Sequence, residues 1–363
     1  MALNLDDVRA ELPVLERIAY LNTGTFGPLP RRTVAAMQEV QDEGLREGRA
    51  GHAFFERVVS DRQRLREELG ALIGAPSSSI ALTTSTTEGC NAVVAGLRLR
   101  PGDEVVTTDV EHPGLLGALR AWNLDVRTAR VADRAPDGAL AAFDEAITER
   151  TRLIAISHVA WTTGAVLPVA DLAGRGIPLL VDGAQSAGAI PVDVGALGCD
   201  FYTVSGQKWL CGPDATGCLF VREEWIDPLE ISYPSYLSWE NVDRLDPWPD
   251  ARRFESVWTP AASVAGLLAS LEFAREVGEE RFERARSAAA RCRDLLMERA
   301  EVVTAPDQAT LVSWRADGDA AETVEQLFEQ GVVVRDMPGL GWLRASCGFW
   351  TSDNDLERLA GAL

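Results

Sequence analysis

The chain has 363 residues, 46% hydrophobic and 25% charged, the composition of an ordinary soluble globular protein long enough for two domains. Its formal charge of −20 disfavours nucleic acid and anionic membranes as partners, so any anionic substrate must be captured by local positive groups against the overall field. Six scattered cysteines (Cys90, Cys199, Cys211, Cys218, Cys292, Cys347) with no C-x-x-C pair, and three histidines far apart (His52, His112, His158), argue against a zinc site or a disulfide framework. Most of these cysteines read as small core residues.

In chain order, "ALNLDDVRAELPVLE" is acidic and lacks the basic and apolar regions of a signal peptide. No apolar run reaches the roughly 18 residues of a membrane span, and the expected location is the cytoplasm. The middle of the chain alternates short apolar, β-branched runs with helical stretches. The runs are "SIALTTS", "EVVTTDVEH", "DVRTARV", "LIAISHVAW", "IPLLVDGAQ", "DFYTVSG" and "TGCLFVR". They are nearly continuous in apolar character, as expected for strands covered on both faces. "TEGCNAVVAGLRL" and "GLLGALRAW" have helical spacing, and "PGD" at Pro101 and "DGAL" at Asp137 mark turns. The alternation predicts an α/β layer fold. From about Glu223 to Pro260 the pattern breaks into an aromatic- and proline-rich stretch without a period, which points to a functional or interface segment. A long helix follows over 261–300, with a break near Gly278, then weaker strand–helix alternation. The expected division is a large domain over 21–258 and a smaller one built from 1–20 and 259–363.

The chemistry concentrates at strand ends. Lys208, in "SGQKWLCGPDATG", is the only lysine among the 35 basic residues. Arginine cannot lose its proton in a protein; lysine can, and then serves as nucleophile, Schiff-base former or general base. Asp182 and Gln185 follow the strand "IPLLVD", and Ser205 follows "FYTV". In open α/β sheets ligands bind at the carboxyl ends of strands. Thr86 and Thr87 open a helix whose N-terminus favours an anion such as phosphate. His112 ends a fourth strand. Taken singly, Asp182 reads equally as a turn former, the threonines as a helix cap and His112 as a loop histidine. Jointly, a carboxylate, an imidazole, a lysine and a phosphate cradle suit pyridoxal 5′-phosphate.

In succession, "TTEGCN", "EHPG", "VDGAQSAG", "SGQKW", "RRFES" and "WLRAS" resemble the motifs of the class V aminotransferase superfamily of fold-type I pyridoxal-phosphate enzymes. That superfamily includes cysteine desulfurases, cysteine and cystine C–S lyases, isopenicillin N epimerase and kynureninase, and the similarity runs from about Leu21 to Leu363. It implies a large domain with a mostly parallel seven-stranded sheet and a smaller α+β C-terminal domain. It implies Lys208 as the Schiff-base lysine, Asp182 at the pyridine nitrogen, His112 over the ring and Gln185 near the ring hydroxyl. Thr86, Thr87, Ser205 and Gln207 fall at the phosphate, Arg344 at the substrate carboxylate, and Trp161, Asn22 and Thr23 in the substrate site. It also implies a homodimer with shared active sites, Thr259 reaching the partner's phosphate. Two departures stand out: many relatives carry histidine where Gln207 stands, and the threonine after "RFE" falls here in "RFESVWTP".

Desulfurases resembling this chain carry a loop cysteine shortly before the carboxylate-binding arginine; "EQGVVVRDMPGLGWLRAS" holds none, and Cys347 lies after Arg344. Trp161 stands where desulfurases tend to carry asparagine and is similar to the cystine lyase and epimerase branch. The expected activity is therefore β-elimination on a cysteine-derived amino acid. The alternatives are epimerisation or transamination of a pathway-specific amino acid, cysteine desulfuration, and a non-catalytic scaffold of the same fold.

Overall fold

The computed structural model describes residues 4–132, 134 and 138–363; the turn expected at Asp137 lies outside the described residues. Helix α1 (Leu5–Ala10) is capped by Asn4, whose side chain accepts from the Asp7 N–H. Strand β1 (Ala19–Tyr20), helix α2 (Arg31–Glu47) and helix α3 (His52–Ile73) follow, and α3 stops at Gly74 in the left-handed conformation.

The seven apolar runs form seven strands: β2 (Ile80–Thr83), β3 (Glu104–Thr108), β4 (Asp125–Ala129), β5 (Thr151–Ser157), β6 (Leu179–Asp182), β7 (Phe201–Ser205) and β8 (Gly217–Val221). They make one sheet in the order β2-β8-β7-β6-β5-β3-β4. β8 runs antiparallel to both neighbours and the remaining pairs are parallel. Alternate residues feed two separate cores. Val106, Ile154, Ile156, Val181, Tyr202 and Val204 pack on one face with Leu65 and Leu69 of α3. Val105, Leu153, Ala155, Leu180, Phe201 and Leu219 pack on the other with helices α4 (Thr86–Gly96) and α5 (Pro113–Ala121). Burial on both faces explains the unbroken apolar runs: each fully buried leucine or isoleucine contributes roughly 1.5–3 kcal/mol.

The irregular stretch is a set of single turns with a small hairpin of β9 (Trp239–Asn241) and β10 (Asp246–Pro247). Helix α9 (Ala261–Val277, numbered after three shorter helices α6 Ala139–Ala146, α7 Val169–Leu172 and α8 Val194–Leu197) and α10 (Glu280–Met297) replace the single long helix. They part at Gly278, whose φ of 84° only glycine adopts freely. Val264, Leu267, Leu268 and Leu271 of α9, which the sequence groups with the C-terminal third, pack into the core beside the sheet.

The C-terminal third adds β11 (Leu311–Arg315), α11 (Ala320–Glu329), β12 (Val332–Val333), β13 (Arg335–Met337), β14 (Trp342–Ser346) and α12 (Asp353–Ala362). β11, β14 and β13 form an antiparallel sheet with β14 in the middle, and β1 pairs in parallel with β12. The N-terminus joins this layer through Ala19 and Leu21. Arg9 fixes it further, donating to the Asp355 carboxylate at 2.6 Å and to the Trp350 carbonyl at 2.8 Å.

One buried carboxylate ties the irregular stretch to the large core. Glu255 accepts from Arg66 Nε at 2.8 Å, Arg66 Nη2 at 3.0 Å, the Leu82 N–H at 3.0 Å, and Arg62. All three side chains are buried. Removing one member of such a cluster strands the others' charge. Glu255→Ala should therefore lower unfolding free energy by about 3–5 kcal/mol, seen as a large drop in thermal midpoint; an unchanged midpoint would contradict the clamp.

Candidate active site

Asp182 is the last residue of β6, in register with Ser157 of β5 and Thr203 of β7. It is 4% exposed. Its Oδ1 accepts from the Ala184 N–H at 2.9 Å, and the Thr86 hydroxyl donates to the same carboxylate. Burial pushes this carboxyl up, against the downward pull of Lys208, Ala184 and Thr86. Lys208 sits just past β7. Burial lowers its amine to about 8, Asp182 opposes the shift, and the guanidinium groups of Arg344 and Arg335 add to it. The lone lysine thus has a neutral form within reach of ordinary pH.

The N-terminus of α4 faces the same strand ends. Ser85 caps it through the Glu88 N–H at 3.2 Å, and the Thr86 N–H donates to Ser205 Oγ at 3.3 Å. Thr87 packs against the start of α5: a Cβ placed on Gly114 would lie 2.5 Å from Thr87 Oγ1 and 3.1 Å from His112 Nδ1. His112 caps α5, its Nδ1 accepting from the Gly114 N–H at 3.1 Å, which assigns the proton of the neutral ring to Nε2. Burial, Lys208, Arg335 and Arg344 lower His112 to about 4, so it is neutral near pH 7. Trp161 meets it edge-on at 4.9 Å. Gln207 Oε1 and Thr259 Oγ1 are buried without a partner. Gln185 is already engaged at both ends, donating to the Gly24 carbonyl at 2.8 Å and accepting from Trp209 Nε1 at 2.9 Å. One amide N–H of Gln185 remains for a ligand.

The loop after β1 brings Asn22 and Thr23 against β14. Asn22 bridges to Ser346 and its Oδ1 accepts from the Thr25 hydroxyl at 2.8 Å, while Thr23 Oγ1 has no partner. Arg344 is 0% exposed. Its Nη1 donates to the Trp161 carbonyl at 2.7 Å; its Nε and Nη2 are buried without a partner. Burial and Arg335 lower it to about 9. A Cβ at Gly24 would come within 2.8 Å of Arg344 Nη2, so glycine there lets the loop approach the guanidinium.

The structure thus brings Lys208, Asp182, His112, Arg344, Trp161 and the Asn22–Thr23 loop to one site. Sequence reasoning missed three members. Arg335 lies in the quoted "VVVRDMPG"; its signal is a second arginine across the Pro338–Gly341 turn from Arg344. Trp209 directly follows Lys208. Glu111 precedes His112 and is buried. It accepts from the Thr108 hydroxyl at 2.6 Å, the Ser157 N–H at 2.9 Å and the Ser157 hydroxyl at 2.5 Å, and burial raises it to about 7. Its signal was a carboxylate next to the histidine at a strand end.

The family model "Aminotransferase class-V" matches residues 19–359, and the chain belongs to that family. Isopenicillin N epimerase of Streptomyces clavuligerus is 32% identical over 99% of this chain and 97% of its own length. A probable cysteine desulfurase of Methanothermobacter thermautotrophicus is 33% identical over 77% of this chain and 72% of its own length. Two solved structures of the cystine C–S lyase C-DES superpose with TM-scores of 0.92 and 0.91, at 28% and 27% identity. They cover 97% and 96% of this chain and 98% of their own. In one, a mutant, glycine is covalently linked to the pyridoxal-phosphate cofactor; the other holds the reaction product cysteine persulfide. The fold is that of fold-type I pyridoxal-phosphate enzymes, with the mostly parallel seven-stranded sheet the motifs implied.

The rate at which a small aldehyde captures the single lysine of the apoprotein should rise with pH through a midpoint of about 8 and then level off. Because Asp182 favours the ammonium and Arg335 disfavours it, Asp182→Asn should move the midpoint down and Arg335→Gln should move it up. A midpoint at the ordinary lysine value of 10.5 would contradict the site's electrostatics.

Proposed function

We propose that this chain is a pyridoxal-phosphate enzyme acting at Cα of an amino acid, and that its reaction is β-elimination of a sulfur leaving group from a cysteine-derived substrate. The observation that carries this is the lone amine of Lys208, held beside buried Asp182 and sharing its site with the unpaired donors of Arg344.

The residues fit the cofactor. The N-terminus of α4, with Thr86 and Thr87, favours a phosphate. The unpartnered hydroxyl of Thr259 is left for the partner's phosphate, and the Gln207 amide, turned about its axis, offers N–H donors to this chain's own. Ser205 steadies the Thr86 N–H. Asp182 would hold a proton on the pyridine nitrogen, His112 would lie over the ring as a neutral imidazole, and Gln185 has one N–H left for the ring hydroxyl. Bound there, pyridoxal phosphate would supply an electron sink for negative charge developing at Cα.

Arg344 then holds the substrate α-carboxylate in a bidentate pair, which explains why Nε and Nη2 are left free in a buried site. Asn22 and Thr23 close the site from the N-terminal loop, and Trp161 walls it, excluding water. The neutral Lys208 amine takes the Cα proton as general base. Departure of sulfur from Cβ leaves a three-carbon fragment that hydrolyses to pyruvate and ammonia. All six cysteines are buried, Cys347 included, which supports direct departure of sulfur over transfer to an enzyme thiolate. A second reading, epimerisation at Cα, is supported by the near full-length likeness to an isopenicillin N epimerase.

The proposed assembly is a homodimer in the cytoplasm. Phe55, Trp258 and Tyr236 form an aromatic stack, with centroid separations of 6.1 and 6.4 Å, directly before Thr259. Phe55, Val59, Tyr236 and Val242 are exposed around it, an apolar patch that suits a second copy. No described helix is long and apolar enough to cross a membrane. The large domain is proposed as 21–258 and the small one as 1–20 with 259–363, α9 packing on the former.

Three outcomes are expected. Borohydride treatment of the holoenzyme should leave a reduced cofactor adduct on Lys208; an adduct elsewhere would refute the site. Asp182→Asn should retain the cofactor and lose roughly a hundredfold or more in kcat; near-normal turnover would remove Asp182 from the chemistry. A variant with all six cysteines replaced, once shown to be folded by circular dichroism, should still release pyruvate from cystine or an S-substituted cysteine. Alanine with an enzyme-bound persulfide, dependent on one cysteine, would instead make the protein a desulfurase. Solvent-deuterium exchange at Cα with no pyruvate from any sulfur substrate would make it an epimerase or aminotransferase.

A further inference from the structure

Strand β3 stands where the strand order switches: the chain leaves it through α5 to β4 on one side, and β5 lies on the other. β3 and β5 are paired only from Glu104 to Val106, opposite Thr151 to Ile154. Beyond these residues the two strands part, and β5 runs on beside β6 until Ser157 meets Asp182. The turn from β3 to α5 spans the gap and holds both neighbours by carboxylates. Exposed Asp109 takes the Val131 and Ala132 N–H groups past the end of β4, at 2.8 and 3.1 Å. Buried Glu111 reaches the other way. Its Oε2 accepts from both the N–H and the hydroxyl of Ser157, and its Oε1 accepts from the hydroxyl of Thr108 at the end of β3. The carboxylate thus stands in for the strand pairing that ended at Val106.

Three site residues depend on that link. His112 directly follows Glu111, and its ring is held by the Gly114 N–H. Trp161 lies four residues past Ser157 and meets His112 edge-on, with the ring planes at 84°. Asp182 is opposite Ser157 in register. Burial raises Glu111 to about 7 against the pull of its three donors. Such a group is an inconstant source of charge near neutral pH, but its oxygen toward Ser157 accepts in either state, the acid proton going to Thr108 Oγ1. We propose that Glu111 is a positioning residue: by joining the end of β5 to the turn before α5, its side chain sets the tilt of the His112 imidazole against Trp161, on the face where the cofactor ring would lie. This rests on the reading that His112 lies over that ring.

Two substitutions separate reach from charge. Glu111→Gln loses the charge and keeps the reach, its carbonyl accepting from Ser157 and its amide donating to Thr108 Oγ1. Glu111→Asp keeps the charge and draws the carboxylate back by a methylene, so that it no longer spans Ser157 and Thr108. In the apoprotein the His112 imidazole is followed by NMR titration; with three histidines in the chain, its signal is identified by its loss in His112→Phe. In the wild type and in Glu111→Gln it should titrate near 4, held down by burial and by Lys208, Arg335 and Arg344. In Glu111→Asp it should move up toward 6.5 as the ring leaves that position. In the holoenzyme, the circular dichroism of the visible band reports how the ring is seated. It should be unchanged in Glu111→Gln and reduced in Glu111→Asp, with turnover down roughly tenfold or more in the latter. A displaced His112 titration or a reduced band in Glu111→Gln would overturn the proposal, because charge would then be what matters. Wild-type behaviour of Glu111→Asp would overturn it as well. Should Glu111→Asp not fold, Ser157→Ala, which removes one donor to the carboxylate, is measured in its place; it should shift the titration the same way by less, and an unshifted His112 would again overturn the proposal. Failure of the cofactor reading shows separately, as a borohydride adduct missing from Lys208, and leaves the apoprotein titration to decide the role of Glu111.

Discussion

Removing Asp182 from water sets the terms for the residues around it. A carboxylate at the end of a central strand, in register with neighbours on both sides, cannot be rehydrated without opening the sheet. It is kept charged only by what lies above it: Lys208, the Ala184 N–H and the Thr86 hydroxyl. Those groups fix the start of α4 and the turn after β7, and the start of α4 in turn positions Thr87 against α5 and its cap His112. Lys208 meanwhile is pulled both ways, stabilised as a cation by Asp182 and destabilised by burial and two arginines. The result is an amine displaced toward neutrality beside a carboxyl whose neighbours oppose the effect of burial, and a neutral amine is the form that can accept a proton.

The sequence was most informative where one physical constraint acts alone. Strands buried on both faces need unbroken apolar runs, and all seven such runs became strands of one sheet. Lys208 stood out because arginine replaces lysine everywhere that only charge matters. Legibility fell where several constraints meet. The helical spacing of 261–277 says that α9 is amphipathic but not which core it joins, since a leucine stripe fits either. Arg335 received no role, because its place opposite Arg344 follows from strand register and not from local composition. Gln185 reads as a ligand donor, yet most of its amide is spent on Gly24 and Trp209, contacts that only the fold brings together.

The motif "RRFES" shows how a residue beside the chemistry can serve architecture instead. Glu255 touches none of the site residues described above. It gathers Arg62, Arg66 and the Leu82 N–H, and so fixes where the segment carrying Trp258 and Thr259 leaves the core. The same Arg62 lies under the Trp258 ring at 4.9 Å, so the buried ionic cluster also orients the aromatic surface patch. Position at the rim of the molecule is thereby set from its interior, and the patch is presented as a rigid face.

The scarcity of lysine has a consequence for the life of the protein in a cell. Apart from its α-amine, the chain offers a single primary amine, and that one is held in the floor of a charged site. Acylation, glycation by reducing sugars and isopeptide tagging act on a primary amine in its neutral form, most often that of lysine. Guanidinium groups do not take part in acyl transfer or isopeptide formation as amines do, so acyl donors and reducing sugars find no lysine on the outer surface. Enzymes that mark proteins by attaching a tag to lysine likewise have no outlying residue to use.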